Sequence, residues 1–229
     1  MHYFINSWDL SAGVLEITNR ATVHQIAQVL KLRAGEKIVL GDGEGKAFDA
    51  EILIMNTKSV QVEILGESNL ASEPSREVVL YCAILKKENF ELVCQKATEV
   101  GAKLIVPLLT ERVIKTDLNF ERLEKIVKEA AEQSRRLNVP EVLQPVKFTD
   151  AVRELKNPAD NRLCHFGGEN SAGRRLPATV GIFIGPEGGF TEAEVNLARE
   201  RGLEVVSLGV NILRAQTAAT VAVWVVVNS

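Results

Sequence analysis

The feature that most constrains this chain is an apolar segment that ends in a glycine-rich loop. Residues 180–184 are apolar without alternation, and the loop Gly185-Pro186-Glu187-Gly188-Gly189 follows at once. A continuous apolar run predicts a strand buried on both faces, as the strands of parallel sheets are. After the loop, Thr191 and Glu194 have the spacing of a capping box, which predicts a helix over 191–201.

The loop itself allows two interpretations. In parallel α/β sheets, ligands bind beyond the carboxyl ends of the strands, and glycine lets a backbone approach a ligand closely. Glycine and proline are also common in ordinary turns that bind nothing. The loop has neither the Gly-Lys-Ser/Thr ending of a P-loop nor the Gly-x-Gly-x-x-Gly pattern, which disfavours a triphosphate or a dinucleotide as ligand.

The rest of the chain divides into two regions with different secondary-structure patterns. Residues 1–66 are rich in strand formers, and the polar segment 66–75 predicts a linker, so we expect domains at 1–70 and 74–229. The first domain is predicted to hold strands at 37–40, 47–55 and 59–65 and a helix over 23–32 capped by Thr22. The second alternates strands with helices, which predicts an α/β fold with a parallel sheet covered on both faces. Its predicted strands are 78–85, 104–109, 162–166, 180–184 and 204–207, and its predicted helices are 89–100, 119–137, 191–201 and 213–227.

Composition excludes several classes of protein. The formal net charge of −3 over 229 residues is not that of an indiscriminate polycation, so any nucleic acid must be bound by local basic patches. The three cysteines are far apart and predict neither a metal site nor disulfides, and the three histidines have no metal-ligand spacing. The longest apolar stretch is too short for a membrane span, and no signal-peptide pattern is visible, so we expect a cytoplasmic protein.

A second glycine turn follows the strand at 204–207. Leu208-Gly209 leads through Val210-Asn211-Ile212-Leu213-Arg214 into a helix that opens with small residues. That helix is apolar all round, which predicts burial on every side. Because buried arginines are rare, Arg214 is a candidate functional residue, although a structural ion pair is an alternative.

Together these segments resemble the RsmE family of the SPOUT superfamily. The resemblance is carried by Gly185-Pro186-Glu187-Gly188-Gly189-Phe190, by Leu208-Gly209 and by Ile212-Leu213-Arg214. It extends to residues 24–35, to Gln95-Lys96-Ala97-Thr98-Glu99-Val100-Gly101 and to Glu132-Gln133-Ser134. The chain departs from the family pattern at Lys31, at Val210-Asn211 and at Gln216, which stands where a glutamate is common.

The resemblance implies an N-terminal PUA-like β-barrel and a C-terminal SPOUT α/β domain with a trefoil knot. It also implies a homodimer that uses S-adenosylmethionine to methylate N3 of a uridine in 16S ribosomal RNA, within the small ribosomal subunit. The alternatives are another SPOUT enzyme, acting on transfer RNA or a different ribosomal base, and a non-catalytic RNA-binding protein of this fold. The residues expected to contact the cofactor are Phe166, Ile184, Gly185, Glu187, Gly188, Gly189, Leu208, Gly209, Ile212, Leu213, Arg214 and Thr217.

Three residues are candidates for the chemical step. Arg214 is expected to stabilise charge that develops on a uracil oxygen, Arg136 to hold a phosphate or the base, and Glu132 to accept the N3 proton. Because Glu132 and Arg136 are four residues apart on a predicted helix, a solvated ion pair is the alternative for both. Further candidates for phosphate contacts follow predicted strand ends, with ordinary solvated side chains as the alternative: Lys86, Lys87, Arg112 and Lys115.

Overall fold

The computed structural model describes residues 1–70, 72–86, 88–114, 116–169 and 176–229. The chain forms two compact units. The N-terminal unit consists of Met1–Glu73 and Ala131–Val139, and the C-terminal unit consists of Pro74–Ala130 and Pro140–Ser229. The sequence predicts a single boundary near residues 70–74 and gives no sign that residues 131–139 group with the N-terminal unit.

The N-terminal unit is built on a five-stranded sheet. Its strands are β1 (His2–Ile5), β2 (Val14–Ile17), β3 (Lys37–Gly41), β4 (Ala47–Met55) and β5 (Val60–Glu67). They are arranged in the order β1-β3-β4-β5-β2, and all neighbours are antiparallel except β1 and β3. Alternate side chains of the sheet form the core, which includes Ile38, Leu40 and Ile52. The three strands predicted here are confirmed, whereas β1 and β2 are too short to give a clear signal.

The helix of this unit begins earlier than the sequence predicts. α1 (Arg20–His24) continues as a π-helical turn over Gln25–Val29. Its N-cap is Asn19, whose Oδ1 accepts a hydrogen bond from the Thr22 N–H at 3.1 Å. The predicted cap at Thr22 is therefore wrong, because Thr22 lies inside the first turn.

The C-terminal unit contains a parallel sheet, as predicted. Its strand order is β12-β10-β11-β6-β7-β8, β9 also pairs with β7, and every pairing among the described strands is parallel. The elements, in chain order, are β6 (Glu77–Ala83), α2 (Asn89–Glu99), β7 (Ala102–Leu109), α3 (Phe120–Ser134, whose last turn belongs to the N-terminal unit), β8 (Glu141–Val142), β9 (Val146–Lys147), α4 (Phe148–Glu154), a 3-10 turn (Pro158–Asp160), β10 (Arg162–Glu169), β11 (Thr179–Ile184), α5 (Glu192–Glu200), β12 (Glu204–Val206) and α6 (Ala215–Val227).

Helices cover both faces of this sheet. α4 and α5 pack on each other, and their core includes Phe148, Phe183 and Val195. α2 and α6 form a second packed pair, which contacts β6, β7 and β11. Since side chains alternate along a strand, Ile182 and Ile184 point to the opposite face from Phe183.

α6 differs from its prediction. An all-round apolar helix predicts complete burial, yet Trp224 is 56% exposed and Val225 is 44% exposed. The expectation is wrong for the chain by itself, because the sheet and α2 cover only one side of the helix. No helix in the described part of the chain is both long and apolar enough to cross a membrane.

The end of α3 also differs from its prediction. The sequence predicts a helix as far as residue 137, but α3 ends at Ser134 because Arg135 adopts a left-handed conformation with φ of 58°. Arg136 lies beyond that turn and is only 4% exposed. The solvated ion pair of Glu132 and Arg136, the alternative considered from the sequence, does not agree with this burial.

Arg136 forms a buried ion pair instead. Its Nη2 lies 2.6 Å from Oε2 of Glu73, and its Nε donates to Oε1 of Glu73 at 3.2 Å. The same Oε1 accepts the N–H of Asn138 at 2.9 Å, and the Arg136 carbonyl accepts the Tyr3 hydroxyl at 2.9 Å. The guanidinium is thus engaged in holding residues 131–139 within the N-terminal unit.

This pair predicts a large effect of one substitution. Glu73→Ala should lower the free energy of unfolding by about 3 kcal/mol, since it leaves a buried guanidinium without its carboxylate. The measurement is urea-induced unfolding followed by circular dichroism. The matched control is Glu91→Ala, which removes the partner of the exposed Arg122 and should cost less than about 1 kcal/mol. Equal losses in the two variants would show that the Arg136–Glu73 pair has no special structural role.

Candidate active site

Three neighbouring strands end beside one cavity. β12, β10 and β11 are adjacent and parallel, so their carboxyl ends lie at one edge of the sheet. A cavity of about 640 Å³ opens there, within the size range of small-molecule sites. Residues that follow these three strands form most of its wall, and Asn89 and Arg112 add to it.

Most of the residues expected to contact a cofactor lie in this wall. The structure brings together Phe166, Ile184, Gly185, Glu187, Gly188, Gly189, Leu208, Gly209, Ile212, Leu213 and Arg214. Thr217 does not line the cavity: its side chain is exposed on α6, and its neighbours Gln216 and Ala218 line the wall instead. A cofactor contact by the Thr217 side chain therefore has no support in the structure.

The loop 185–189 is held in a defined shape by the start of α5. Thr191 is the N-cap, and the capping box with Glu194 is complete, as predicted. Gly189 has φ of 71°, a conformation that favours glycine, and its N–H donates to the Pro186 carbonyl at 2.8 Å. The loop thus presents backbone groups to the cavity from a fixed turn.

Glu187 ties this loop to the end of β6. Its Oε1 accepts a hydrogen bond from the Lys86 N–H at 3.1 Å. Partial burial opposes the charge of this carboxyl, but hydrogen bonds from its own N–H, the Lys86 N–H and the Asn89 side chain, together with the Lys86 charge, lower its pKa overall. Glu187 is therefore a carboxylate at neutral pH and can accept these hydrogen bonds.

Arg112 ties the loop to the end of β7. Its guanidinium donates a hydrogen bond to the Gly188 carbonyl, and the side chain lines the cavity. The sequence predicts a phosphate contact for Arg112, and the structure adds this loop contact. Lys87 and Lys115, two further candidates for phosphate contacts, lie outside the described residues.

The end of β10 passes against the backbone that follows β12. A Cβ placed on Gly168 would lie 2.5 Å from the carbonyl carbon of Val206 and 2.9 Å from the nitrogen of Ser207, closer than real side chains come. Both Cys164 and Glu169 are in register with Val206, so β10 bulges between them. The absence of a side chain at Gly168 lets the two strand ends come together, and the sequence alone did not indicate this contact.

Arg214 lies at the cavity but not in the environment that the sequence predicts. It is exposed rather than buried, and it occupies the N-cap position of α6 without a side-chain capping bond. Among the described residues, no side chain or backbone group hydrogen-bonds its guanidinium. A structural ion pair, the alternative considered from the sequence, is therefore not present in the described part of the chain, and the guanidinium can meet a ligand.

Glu132 and Arg136 lie in the N-terminal unit and are not among the residues that line the cavity. Oε1 of Glu132 accepts the Ile5 N–H at 2.8 Å, and Arg136 is engaged with Glu73. Their geometry supports structural roles, because their polar groups already hold backbone and side-chain partners. The structure therefore gives no support to Glu132 as proton acceptor or to Arg136 as substrate contact.

Several wall residues were not predicted. They are Asn89, Cys164, Ser207 and Gln216. Cys164 lies on β10 just before His165 and Phe166, so a slightly longer predicted segment would have included it. Burial raises the pKa of the Cys164 thiol to about 12, which keeps it protonated at neutral pH and excludes it as a nucleophile.

Both parts of the chain match known domain families. A family model described as an RNA methyltransferase domain matches residues 72–227, and one described as an RNA methyltransferase PUA domain matches residues 17–65. The ribosomal RNA small subunit methyltransferase E of Synechocystis sp. is 37% identical over 212 residues, which cover 88% of this chain and 69% of that protein. The protein of the same name from Rickettsia conorii is 32% identical over 225 residues, which cover 96% of this chain and 92% of that protein.

A solved structure agrees with these matches. The crystal structure of the Neisseria gonorrhoeae ribosomal RNA small subunit methyltransferase E, bound to S-adenosyl methionine, has a TM-score of 0.90 and 30% identity to this chain. The structural match covers 97% of this chain and 95% of the Neisseria gonorrhoeae chain. The expected PUA-like and SPOUT folds are thereby confirmed, and this chain belongs to the RsmE family of RNA methyltransferases.

Proposed function

We propose that this protein transfers a methyl group from S-adenosylmethionine to N3 of a uridine in 16S ribosomal RNA. The observation that carries the proposal is the cavity at the ends of β10, β11 and β12, whose wall contains most of the residues expected to contact the cofactor. Relatives named ribosomal RNA small subunit methyltransferase E, and a structural neighbour with S-adenosyl methionine bound, support both the cofactor and the RNA substrate.

The cavity fits this cofactor in size and chemistry. Backbone groups of residues 185–189 and 208–209 can hydrogen-bond an adenosine and an amino-acid group, since glycine leaves them accessible. Phe166, Ile212 and Leu213 give the wall an apolar part that can cover a purine ring. The trefoil knot that the family resemblance implies remains a prediction for this region.

The bound cofactor supplies a methyl group on a positively charged sulfur. N3 of uracil can attack that methyl group once the N3 proton has passed to solvent, and the negative charge that is left is shared by the uracil oxygens. We assign stabilisation of that charge to Arg214, because its exposed guanidinium lies at the cavity without a hydrogen-bond partner among the described residues. Arg112 has a different task, since its guanidinium already holds the Gly188 carbonyl.

The substrate assignment is tested by nucleoside mass spectrometry. The purified protein, incubated with S-adenosylmethionine and small ribosomal subunits, should produce N3-methyluridine. Arg214→Ala should lower kcat roughly a hundredfold or more, the effect of losing one charge-stabilising donor, and should change the dissociation constant of the cofactor far less. Methylation of another nucleoside, or of transfer RNA alone, would contradict the substrate. Equal losses of turnover and cofactor affinity would make Arg214 a cofactor anchor instead.

We further propose that the protein works as a homodimer within the compartment where ribosomes assemble, the cytoplasm. Support for a dimer comes from exposed apolar side chains on and before α6. Trp224 and Val225 lie on the helix, and Val210, which is 92% exposed, precedes it. Large exposed apolar side chains in one region are typical of protein interfaces, and a second copy of the same surface would cover them.

Light scattering on the purified protein tests the dimer. The wild type should have the mass of two chains, and Trp224→Glu should have the mass of one, because a charge would be buried in the interface. The control is Ile54→Glu, which changes a side chain of similar exposure, 60%, on β4 of the N-terminal unit and should leave the mass unchanged. A wild-type mass of one chain would refute the dimer.

A further inference from the structure

One buried carboxylate in the C-terminal unit serves two elements at once. Glu194 is only 4% exposed, although it lies in the first turn of α5. Its Oε2 accepts the Thr191 N–H at 2.8 Å and the Thr191 hydroxyl at 3.2 Å, which completes the capping box. Its Oε1 accepts the backbone N–H of Glu111 at 3.0 Å, from a segment 83 residues earlier in the chain.

That second bond fixes the segment that carries Arg112. Glu111 immediately precedes Arg112, whose guanidinium donates to the Gly188 carbonyl. Gly188 lies three residues before Thr191, which Glu194 holds through its other oxygen. The contacts therefore form a closed ring that runs from the loop 185–189 to α5, to the end of β7 and back to the loop.

A helix cap alone does not require this arrangement. A capping box uses one carboxylate oxygen and works on exposed helices, whereas burial of a carboxylate has a free-energy cost unless both oxygens have donors. Arg112 has a long, exposed side chain, which loses conformational entropy when it holds a single carbonyl. Its contact with Gly188 becomes more favourable if its backbone is already fixed, and the Glu194–Glu111 bond does that.

We propose that Glu194 is a positioning residue of the cofactor pocket, which acts through Glu111 and Arg112 to hold loop 185–189 in its binding shape. The proposal rests on the proposed function, since it takes this loop as part of the S-adenosylmethionine site. It assigns Glu194 no contact with cofactor or RNA. Glu194 fixes the backbone that carries Arg112, and the Arg112 guanidinium in turn holds the Gly188 carbonyl.

The decisive variant is Glu194→Gln. The Thr191 and Glu111 N–H groups face different oxygens of Glu194, and a glutamine has an NH2 donor in place of one of them, so one of the two N–H groups would meet a donor instead of an acceptor. Loss of a hydrogen bond to a charged group should weaken S-adenosylmethionine binding roughly tenfold in calorimetric titration. Arg112→Ala should weaken it by a similar factor. The double variant should lose no more than either single variant, because both substitutions break the same ring.

Thr191→Ala is the matched control. It removes the capping hydroxyl but leaves the backbone N–H groups of Thr191 and Glu111 bonded to Glu194. Its thermal midpoint should fall, as expected for a weakened cap, while its cofactor affinity should stay within about twofold of the wild type. Equal affinity losses in Thr191→Ala and Glu194→Gln, or multiplied losses in the double variant, would overturn the proposal.

Hydrogen exchange tests the same ring without any ligand. The Glu111 amide should exchange slowly in the wild type, although the residue is exposed, and at least about tenfold faster in Glu194→Gln but not in Thr191→Ala. Rapid exchange of this amide in the wild type would overturn the proposal. Failure of the wild type to bind S-adenosylmethionine would instead refute the proposed function, while the exchange rates would still report on the ring.

Discussion

The active-site edge of the C-terminal sheet depends on one close approach of two backbones. Gly168, near the end of β10, lies directly against the peptide that joins Val206 to Ser207. Further down the same strands, Arg162 and Glu204 align β10 with β12 through an ion pair of 2.7 Å. This alignment and the close approach bring Phe166 to the same cavity as residues 208–214. A side chain at position 168 would separate these walls.

Three arginines of this chain show how surroundings decide the role of one residue type. Arg136 is buried against Glu73 and holds structure. Arg112 uses its guanidinium on a backbone carbonyl and shapes a loop. Arg214 lies at the cavity with no hydrogen-bond partner among the described residues. Of the three arginines, it is therefore the one that can stabilise negative charge developing on a substrate. Sequence motifs indicated all three as candidates, but only their partners separate them.

The parts of the site that sequence patterns predicted are those governed by local rules. The capping box of Thr191 and Glu194, the buried strand before it and the parallel arrangement all follow from short-range spacing. The end of α3 does not follow from local spacing, because Arg136, just beyond it, pairs with Glu73, 63 residues away. Nor does the exposure of Trp224, since hydrophobicity shows that a surface is to be covered but not which molecule covers it.

Calorimetric titration with S-adenosylmethionine tests most directly whether these strand ends form the cofactor pocket. The wild type should bind, and Gly168→Ala should bind about fivefold to a hundredfold more weakly, because overpacking costs roughly 1–3 kcal/mol. Gly13→Ala, at a position where a Cβ meets nothing within 4 Å, should bind like the wild type. Unchanged affinity in Gly168→Ala, or no binding by the wild type, would contradict the account.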